Sequence, residues 1–210
     1  MGLDKLAEYA HLFGLGEATG VELAGENPGL VPSARWKRFN YAERWVTGDT
    51  YNMSIGQGYV LATPLQMLNA TAAVANGGTL YRPQVLHQVL DGEGHVVQDF
   101  APAVIRKLPI EPQYLATVAE GMEAAVVWGS ARLAYLDSVR VAGKTGTAEF
   151  FDPDIPPDDE GNLPAHAWFT AFAPVEDPEI ALVVFLYNGG EGSETAVPIA
   201  TEILRYYFRE

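Results

Sequence analysis

The segment from Val141 to Glu149 concentrates the side chains of this sequence that could do chemistry. It reads V-A-G-K-T-G-T-A-E and sets Lys144, Thr145 and Thr147 beside two glycines. The segment is predicted to be a strand, whose alternation puts Lys144 on one face and both threonines on the other unless the glycines twist it locally. A cation and two hydroxyls beside open backbone N–H groups suit a substrate carboxylate and a developing oxyanion. An isolated K-T-G is more typical of an ordinary edge strand with a solubilising lysine.

Gly143-Lys144-Thr145 also resembles the end of a phosphate-binding loop, but two features exclude that site. The loop needs a glycine five residues before Gly143, where this chain has Ser138. It also needs a helix directly after Thr145, and the sequence continues G-T-A-E-F-F-D-P, which does not form one.

The sequence predicts neither a metal nor a cofactor. Four histidines are scattered without an i,i+4 pair beside a glutamate, and the chain has no cysteine, which removes thiol nucleophiles, cysteine-ligated zinc and disulfides. Residues 151–164 contain five acids and four prolines, and the prolines prevent a wrapped calcium loop. A charge run of this kind usually lies in solvent. We therefore expect a long, mobile loop whose root lies close to Thr147.

Net charge excludes whole classes of partner. Thirteen Lys and Arg face 27 Asp and Glu, for a formal charge of −14. Without a basic surface to neutralise phosphates, the chain is not expected to bind nucleic acid or an anionic membrane surface. The longest apolar run, Ile180 to Tyr187, is far shorter than the roughly 20 residues of a membrane-spanning helix.

The hydrophobic pattern predicts the elements that must position this segment. Helices are expected at 3–13, from Ser33 to Phe39, from Pro64 to Asn76, at 111–128 and from about Thr195 onwards, the last with Ile199, Ile203 and Leu204 on its apolar face. Thr63-Pro64 is a strong helix start, with an N-cap and a proline at the first helical position. Strands are expected at 138–149, 167–173 and 180–188, short strands at 79–107, and a glycine-rich, then extended segment at 48–61.

The extended string around Lys144 changes the interpretation of the isolated K-T-G. K-T-G on a strand is a known signature of β-lactamases and penicillin-binding proteins. The sequence resembles the transpeptidase domain of class B penicillin-binding proteins, most closely the elongation branch represented by penicillin-binding protein 2. The matching segments occur in the family's order and span nearly the whole chain: S-I-G-Q-G at 54–58, T-P-L-Q at 63–66, A-N-G-G-T at 75–79, residues 141–149, H-A-W-F at 166–169 and N-G-G at 188–190.

Two other motifs of the family do not occur in this sequence. They are S-x-x-K, which carries the nucleophilic serine, and S-x-N. None of the five serines has a lysine three residues later or an asparagine two residues later. Because the family's order places both motifs upstream, residues 1–210 are expected to be the C-terminal portion of a transpeptidase domain, inactive by itself.

The resemblance implies an α+β fold of the serine β-lactamase/penicillin-binding type, with antiparallel strands three to five of that sheet plus helices. It implies that Lys144 bonds to the S-x-N group and supplies positive potential. Thr145, Gly146 and Thr147 would bind the terminal carboxylate of a stem peptide, and the Thr147 N–H would form half of the oxyanion hole. The implied reaction is peptidoglycan D,D-transpeptidation through a serine acyl-enzyme, with β-lactams as trapping ligands.

The resemblance also implies partners and a location. Peptidoglycan stem peptides, β-lactams and the membrane elongation machinery would be partners of a protein anchored to the membrane by another segment and working outside the cytoplasm. Strand 180–187 would lack its neighbour in the family's sheet and could associate with a second copy. The alternatives are a D,D-carboxypeptidase or β-lactam sensor on the same fold, or a non-catalytic binding module.

Overall fold

The computed structural model describes residues 2–209 as six α-helices and seven strands. The helices are α1 (Leu3–Leu12), α2 (Ala34–Tyr41), α3 (Thr47–Ser54), α4 (Pro64–Ala75), α5 (Pro112–Val127) and α6 (Ala196–Phe208). The strands are β1 (Thr79–Tyr81), β2 (Gln88–Leu90), β3 (Val96–Asp99), β4 (Val104–Lys107), β5 (Ala142–Glu149), β6 (Ala165–Ala173) and β7 (Ile180–Leu186).

The main sheet has three antiparallel strands in the order β5-β6-β7. Short strands form two further antiparallel pairs, β1 with β4 and β2 with β3. Within the described residues, β5 and β7 each pair with β6 alone, so both are edge strands. The expected α+β class with three consecutive antiparallel strands is confirmed.

The principal core lies between the main sheet and the C-terminal helix. Odd-numbered residues of β6 point to this side, and Phe169 among them is completely buried. Helix α6 contributes a face of small and aliphatic residues to the same cluster: Ala196, Val197, Ala200 and Leu204. Burying this apolar area is the main stabilisation of the sheet.

The orientation of α6 corrects the expected apolar face. Leu204 is completely buried as predicted, but Ile199 and Ile203 are each 43% exposed. The side of the helix that meets the sheet carries Val197 and Thr201 in their place, and the Thr201 hydroxyl donates to the Leu133 carbonyl at 2.9 Å. The face with Ala196, Val197, Ala200 and Leu204 packs inward, which leaves Ile199 and Ile203 on the more exposed side of the helix.

Helix α4 starts where the sequence predicts. The Thr63 hydroxyl accepts from the Gln66 N–H at 3.2 Å, and the Gln66 side chain accepts in return from the Thr63 N–H at 2.8 Å. Gln66 is buried, and its amide also donates to the carbonyls of Glu17 and Pro28. The helix packs against β6 and β7 and, through Ala73, against a second small core with Leu80 and Leu108.

The largest differences from the expectation are an additional helix and the start of β5. Residues 47–54, expected to be glycine-rich and extended, form α3. Its Asp49 carboxylate accepts from the Val46 N–H at 2.8 Å and pairs with the buried Lys37 at 2.7 Å, so the helix start depends on a partner twelve residues away. Strand β5 begins at Ala142 rather than at 138.

No helix among residues 2–209 is long and apolar enough to cross a bilayer.

Candidate active site along the edge of β5

Two glycines allow other groups to pack closely against strand β5. A side chain at Gly143 would lie 2.4 Å from the Phe169 ring, so only glycine lets that ring cover the strand. At the start of α6, a side chain at Gly192 would lie 2.4 Å from the carbonyl oxygens of both Gly146 and Trp168. The glycines around the K-T-G segment therefore allow the protein's own groups to pack tightly against it.

The hydrogen-bonding pattern shows which backbone groups of β5 face away from the sheet. The Phe150 N–H donates to the Pro164 carbonyl at 2.9 Å, which continues the ladder between β5 and β6 at even-numbered positions. In an antiparallel pair, the backbone N–H and C=O groups of the intervening residues point away from the partner strand. The N–H and C=O of Thr145 and Thr147 therefore face the outer edge.

Two side chains reach this outer edge. The Gln57 amide Nε2 donates to the Thr147 carbonyl oxygen at 3.2 Å. The Lys144 ammonium donates to the Thr145 carbonyl. Both acceptors are the carbonyls that the ladder leaves free, which agrees with the outward direction of the Thr147 N–H.

Side chains of the K-T-G-T segment alternate as predicted. Lys144 pairs with Thr170, whereas Thr145 and Thr147 pair with Phe169 and Ala167 and lie on the opposite face. The exposed Lys144 side chain bends over the edge, which brings its ammonium beside the backbone of the two threonines. The segment thus presents a cation, outward backbone N–H groups and two hydroxyls along one edge.

Each threonine hydroxyl already has a partner in the chain. Thr145 Oγ1 lies 2.8 Å from Ser130 Oγ, which follows α5. Thr147 Oγ1 donates to the Glu191 carboxylate at 2.8 Å, and the Gly192 N–H lies 3.5 Å from the same hydroxyl oxygen. The sequence alone predicts no role for Gln57, Ser130 or Glu191. Two of these residues carry a sequence signal. Gln57 lies within the S-I-G-Q-G segment, and Glu191 directly follows N-G-G.

An open cleft of about 650 Å³ adjoins Thr147. One wall is the 151–164 segment, and the other is the turn that leads from β7 into α6. The residues that line the cleft include three with carboxylates: Glu149, Asp158 and Glu191. The Asn162 side chain and nearby backbone N–H groups hydrogen-bond to the Asp158 carboxylate and lower its pKa, so it stays charged. The expected position of the loop beside Thr147 is confirmed.

An aromatic cluster closes the end of the sheet beside this cleft. The His166 ring stacks on Phe150 with centroids 4.1 Å apart and also lies close to Tyr187. Its Nδ1 accepts from the Asn188 N–H at 3.2 Å, which requires an unprotonated nitrogen. Burial lowers the pKa of His166 below its ordinary value, so the ring is neutral at pH 7.

Residues 2–209 offer no group of three or more His, Asp or Glu side chains placed to hold a metal ion. The chemical groups of the edge are those of anion recognition and hydrogen-bond donation: an ammonium, hydroxyls and backbone N–H groups.

The penicillin binding protein transpeptidase domain family matches residues 1–205. The peptidoglycan D,D-transpeptidase MrdA of Haemophilus influenzae is 36% identical over 222 residues, which cover 100% of this chain and 33% of that protein. The chain therefore spans about a third of this curated relative's length.

Solved structures give the same result. Penicillin-binding protein A from M. tuberculosis, solved as a ceftriaxone acyl-enzyme complex, superposes with a TM-score of 0.78 at 26% identity, covering 96% of this chain and 42% of that one. Penicillin-binding protein 2 of Helicobacter pylori, solved in complex with MreC, superposes with a TM-score of 0.79 at 29% identity, covering 99% and 36%. The resemblance to penicillin-binding protein 2 is confirmed, and the chain belongs to the penicillin-binding protein transpeptidase domain family.

Proposed function

We propose that this chain is the C-terminal portion of the catalytic domain of a peptidoglycan D,D-transpeptidase. The observation that carries the proposal is the outer edge of β5, where Lys144 bends over the strand beside the outward N–H of Thr147. This arrangement of a cation and N–H donors on an unpaired strand edge suits a peptide that ends in a carboxylate. The family match over residues 1–205 supports the same assignment.

Each residue of the segment has a proposed role. The Lys144 ammonium supplies positive potential and a hydrogen bond to an S-x-N group. The hydroxyls of Thr145 and Thr147 hold the terminal carboxylate of the stem peptide, while Gly146 has no side chain to obstruct it. The Thr147 N–H donates to the oxygen that becomes negative when a serine attacks the D-alanyl-D-alanine carbonyl. A second stem peptide then resolves the acyl-enzyme and completes the cross-link.

The nucleophile is proposed to lie in a part of the domain outside this sequence. Among residues 1–210 there is no S-x-x-K and no S-x-N. The relative MrdA is about three times as long as this chain, which leaves room for both motifs. Residues 1–210 would then contribute half of the oxyanion hole and the carboxylate-binding strand, but no group able to be acylated.

Partners and location follow from the same proposal. β-Lactams are proposed to acylate the complete domain, as ceftriaxone does in the M. tuberculosis protein. The H. pylori protein is solved with MreC, which supports a partner in the elongation machinery for this one. The complete protein is proposed to be membrane-anchored through a segment outside this chain and to work outside the cytoplasm.

The test is acylation of the full-length protein by a fluorescent penicillin, followed by intact-mass spectrometry. We expect one stoichiometric adduct on the full-length protein and none on the 210-residue chain alone. Thr147→Val should slow acylation about threefold or more with little change in melting temperature. It removes the hydrogen bond to the ligand carboxylate and keeps the backbone N–H, but this loss is partly offset because the variant has no bond to Glu191 to give up.

Other outcomes identify the alternatives. An adduct on any of the five serines of the isolated chain would contradict the fragment assignment. An unlabelled full-length protein would indicate a non-catalytic binding module. A labelled protein that releases D-alanine from stem peptides without joining them would be a D,D-carboxypeptidase, and one that is acylated without turning over stem peptides would be a sensor.

A further inference from the structure

The Thr147 hydroxyl is bound to a carboxylate that belongs to the chain itself. It donates to Glu191 at 2.8 Å, although the two residues are 44 positions apart. A hydroxyl has one hydrogen, so Thr147 cannot donate to Glu191 and to a ligand carboxylate at the same time. This contact therefore bears directly on the role proposed for Thr147, and the inference below rests on that proposed function.

The backbone of Glu191 is held in place by hydrogen bonds within the turn that precedes α6. Its carbonyl accepts from the N–H groups of Glu194 and Thr195, both at 3.1 Å, and from the Thr195 hydroxyl at 3.0 Å. The next residue, Gly192, is buried against the backbone of β5 and β6. The turn that precedes α6 thus holds the backbone of Glu191 close to β5, while the side chain remains exposed.

The charged residues that line the cleft on one side of this contact are all carboxylates. Glu149 and Asp158 line the same cleft, and Lys144 lies on the other face of β5 with its ammonium at the outer edge. A ligand carboxylate that approaches Thr147 from this cleft therefore meets negative charge as well as an occupied donor. The approach is disfavoured unless Glu191 gives up the hydroxyl.

We propose that Glu191 acts as an internal competitor for the Thr147 hydroxyl, taking in the free protein the hydrogen bond that a ligand carboxylate takes in the complex. Glu191 is then a specificity-determining residue that lowers the rate at which anionic ligands acylate the domain. Its neutral counterpart, glutamine, can still accept the hydroxyl but competes less strongly, because a charge-assisted hydrogen bond is about twice as strong as a neutral one.

The experiment uses the full-length protein and a penicillin that carries a free carboxylate. Second-order acylation rates are measured for wild type, Glu191→Gln, Thr147→Val and the double variant. Glu191→Gln should acylate about fivefold faster than wild type. In the Thr147→Val background the same exchange should have little effect, since the hydroxyl it releases is absent.

A matched control separates this effect from general surface charge. Glu194→Gln removes the same charge from an exposed position in the same turn and should leave the rate within about twofold of wild type, because exposed charges without a partner contribute little. An unchanged or slower rate for Glu191→Gln would overturn the proposal and make Glu191 a support for Thr147. A gain that persists fully in the Thr147→Val background, or that Glu194→Gln reproduces, would also overturn it. Failure of wild type to be acylated at all would instead contradict the proposed function.

Discussion

The side-chain amide of Gln57 donates a hydrogen bond to the backbone carbonyl of Thr147 across 90 positions of sequence, with the two atoms 3.2 Å apart. It joins the turn that follows α3 to the outer edge of β5. The bond shows that the Thr147 peptide groups face away from β6, and it restrains the residue whose N–H is proposed to stabilise the oxyanion. A residue outside the K-T-G segment thus restrains the backbone of that segment.

Replacement of Gln57 tests this positioning role. Gln57→Met keeps the length of the side chain but removes the donor, and we expect acylation of the full-length protein to slow about two- to tenfold, the range of a neutral hydrogen bond worth roughly 0.5–1.5 kcal/mol. The melting temperature should change little, because Gln57 is not in either core cluster. Unchanged acylation together with a large loss of stability would mean that Gln57 has a structural role only.

The half-buried imidazole of His166 predicts a pH dependence of stability. Burial lowers the folded-state pKa of His166 below the ordinary 6.5. At pH values between these two pKa values, the imidazole is mostly protonated in the unfolded chain and mostly neutral in the folded chain. Stability should therefore fall as the pH decreases through 6.5 and stop falling once the pH is below the folded-state pKa. Melting temperatures at a series of pH values from 8 to about 5 would measure this.

Two variants isolate the His166 contribution. His166→Phe cannot titrate and keeps an aromatic ring against Phe150, so its melting temperature should depend less on pH across this window. His87→Gln changes an exposed histidine and should keep the pH dependence of wild type. Identical pH profiles for wild type and His166→Phe would contradict the prediction.

The 151–164 loop is expected to exchange its amide hydrogens rapidly. Its backbone hydrogen bonds between residues 152 and 162 are local turns, such as Asp158 N–H to the Asn162 carbonyl at 3.0 Å, and most of its side chains are exposed. Few buried contacts mean low local stability. Residues 167–173 of β6 provide an internal reference that should be strongly protected. Protection of 154–163 at the level of β6 would indicate a bound ion or partner.

The isolated 210-residue chain is expected to self-associate through β7 and the adjoining face of α6. Among the described residues the outer edge of β7 has no neighbouring strand, and Ile199 and Ile203 of α6, a helix that packs against β7, stay partly exposed. Unpaired strand edges and exposed apolar side chains favour pairing with another copy. The N-terminal segment packs elsewhere, since Leu12 and Phe13 join the small core around Leu80.

Light scattering as a function of concentration would measure this association. Ile203→Lys should shift the chain toward monomer by placing a charge on the proposed interface. Val85→Lys makes the same kind of change at an exposed residue between β1 and β2 and should leave association unaffected. A monomer at all concentrations would contradict the prediction.

Local sequence patterns predict several features of this protein, including helix starts and the faces of strands. Thr63-Pro64 specifies the start of α4, because an N-cap hydroxyl and a proline at the first helical position act within one turn. The alternation of Lys144 with Thr145 and Thr147 follows from strand geometry alone. The order of short segments from S-I-G-Q-G to N-G-G was sufficient to identify the family.

Tertiary structure decided the features that depend on residues far apart in sequence. Helix α3 forms around Asp49, whose partner Lys37 is buried by the surrounding chain. The exposure of Ile199 and Ile203 depends on which face of α6 packs against the sheet. Gln57 and Glu191 meet Thr147 only because folding brings three separate segments together. Sequence periodicity describes one element at a time, and such contacts arise from the packing of one element against another.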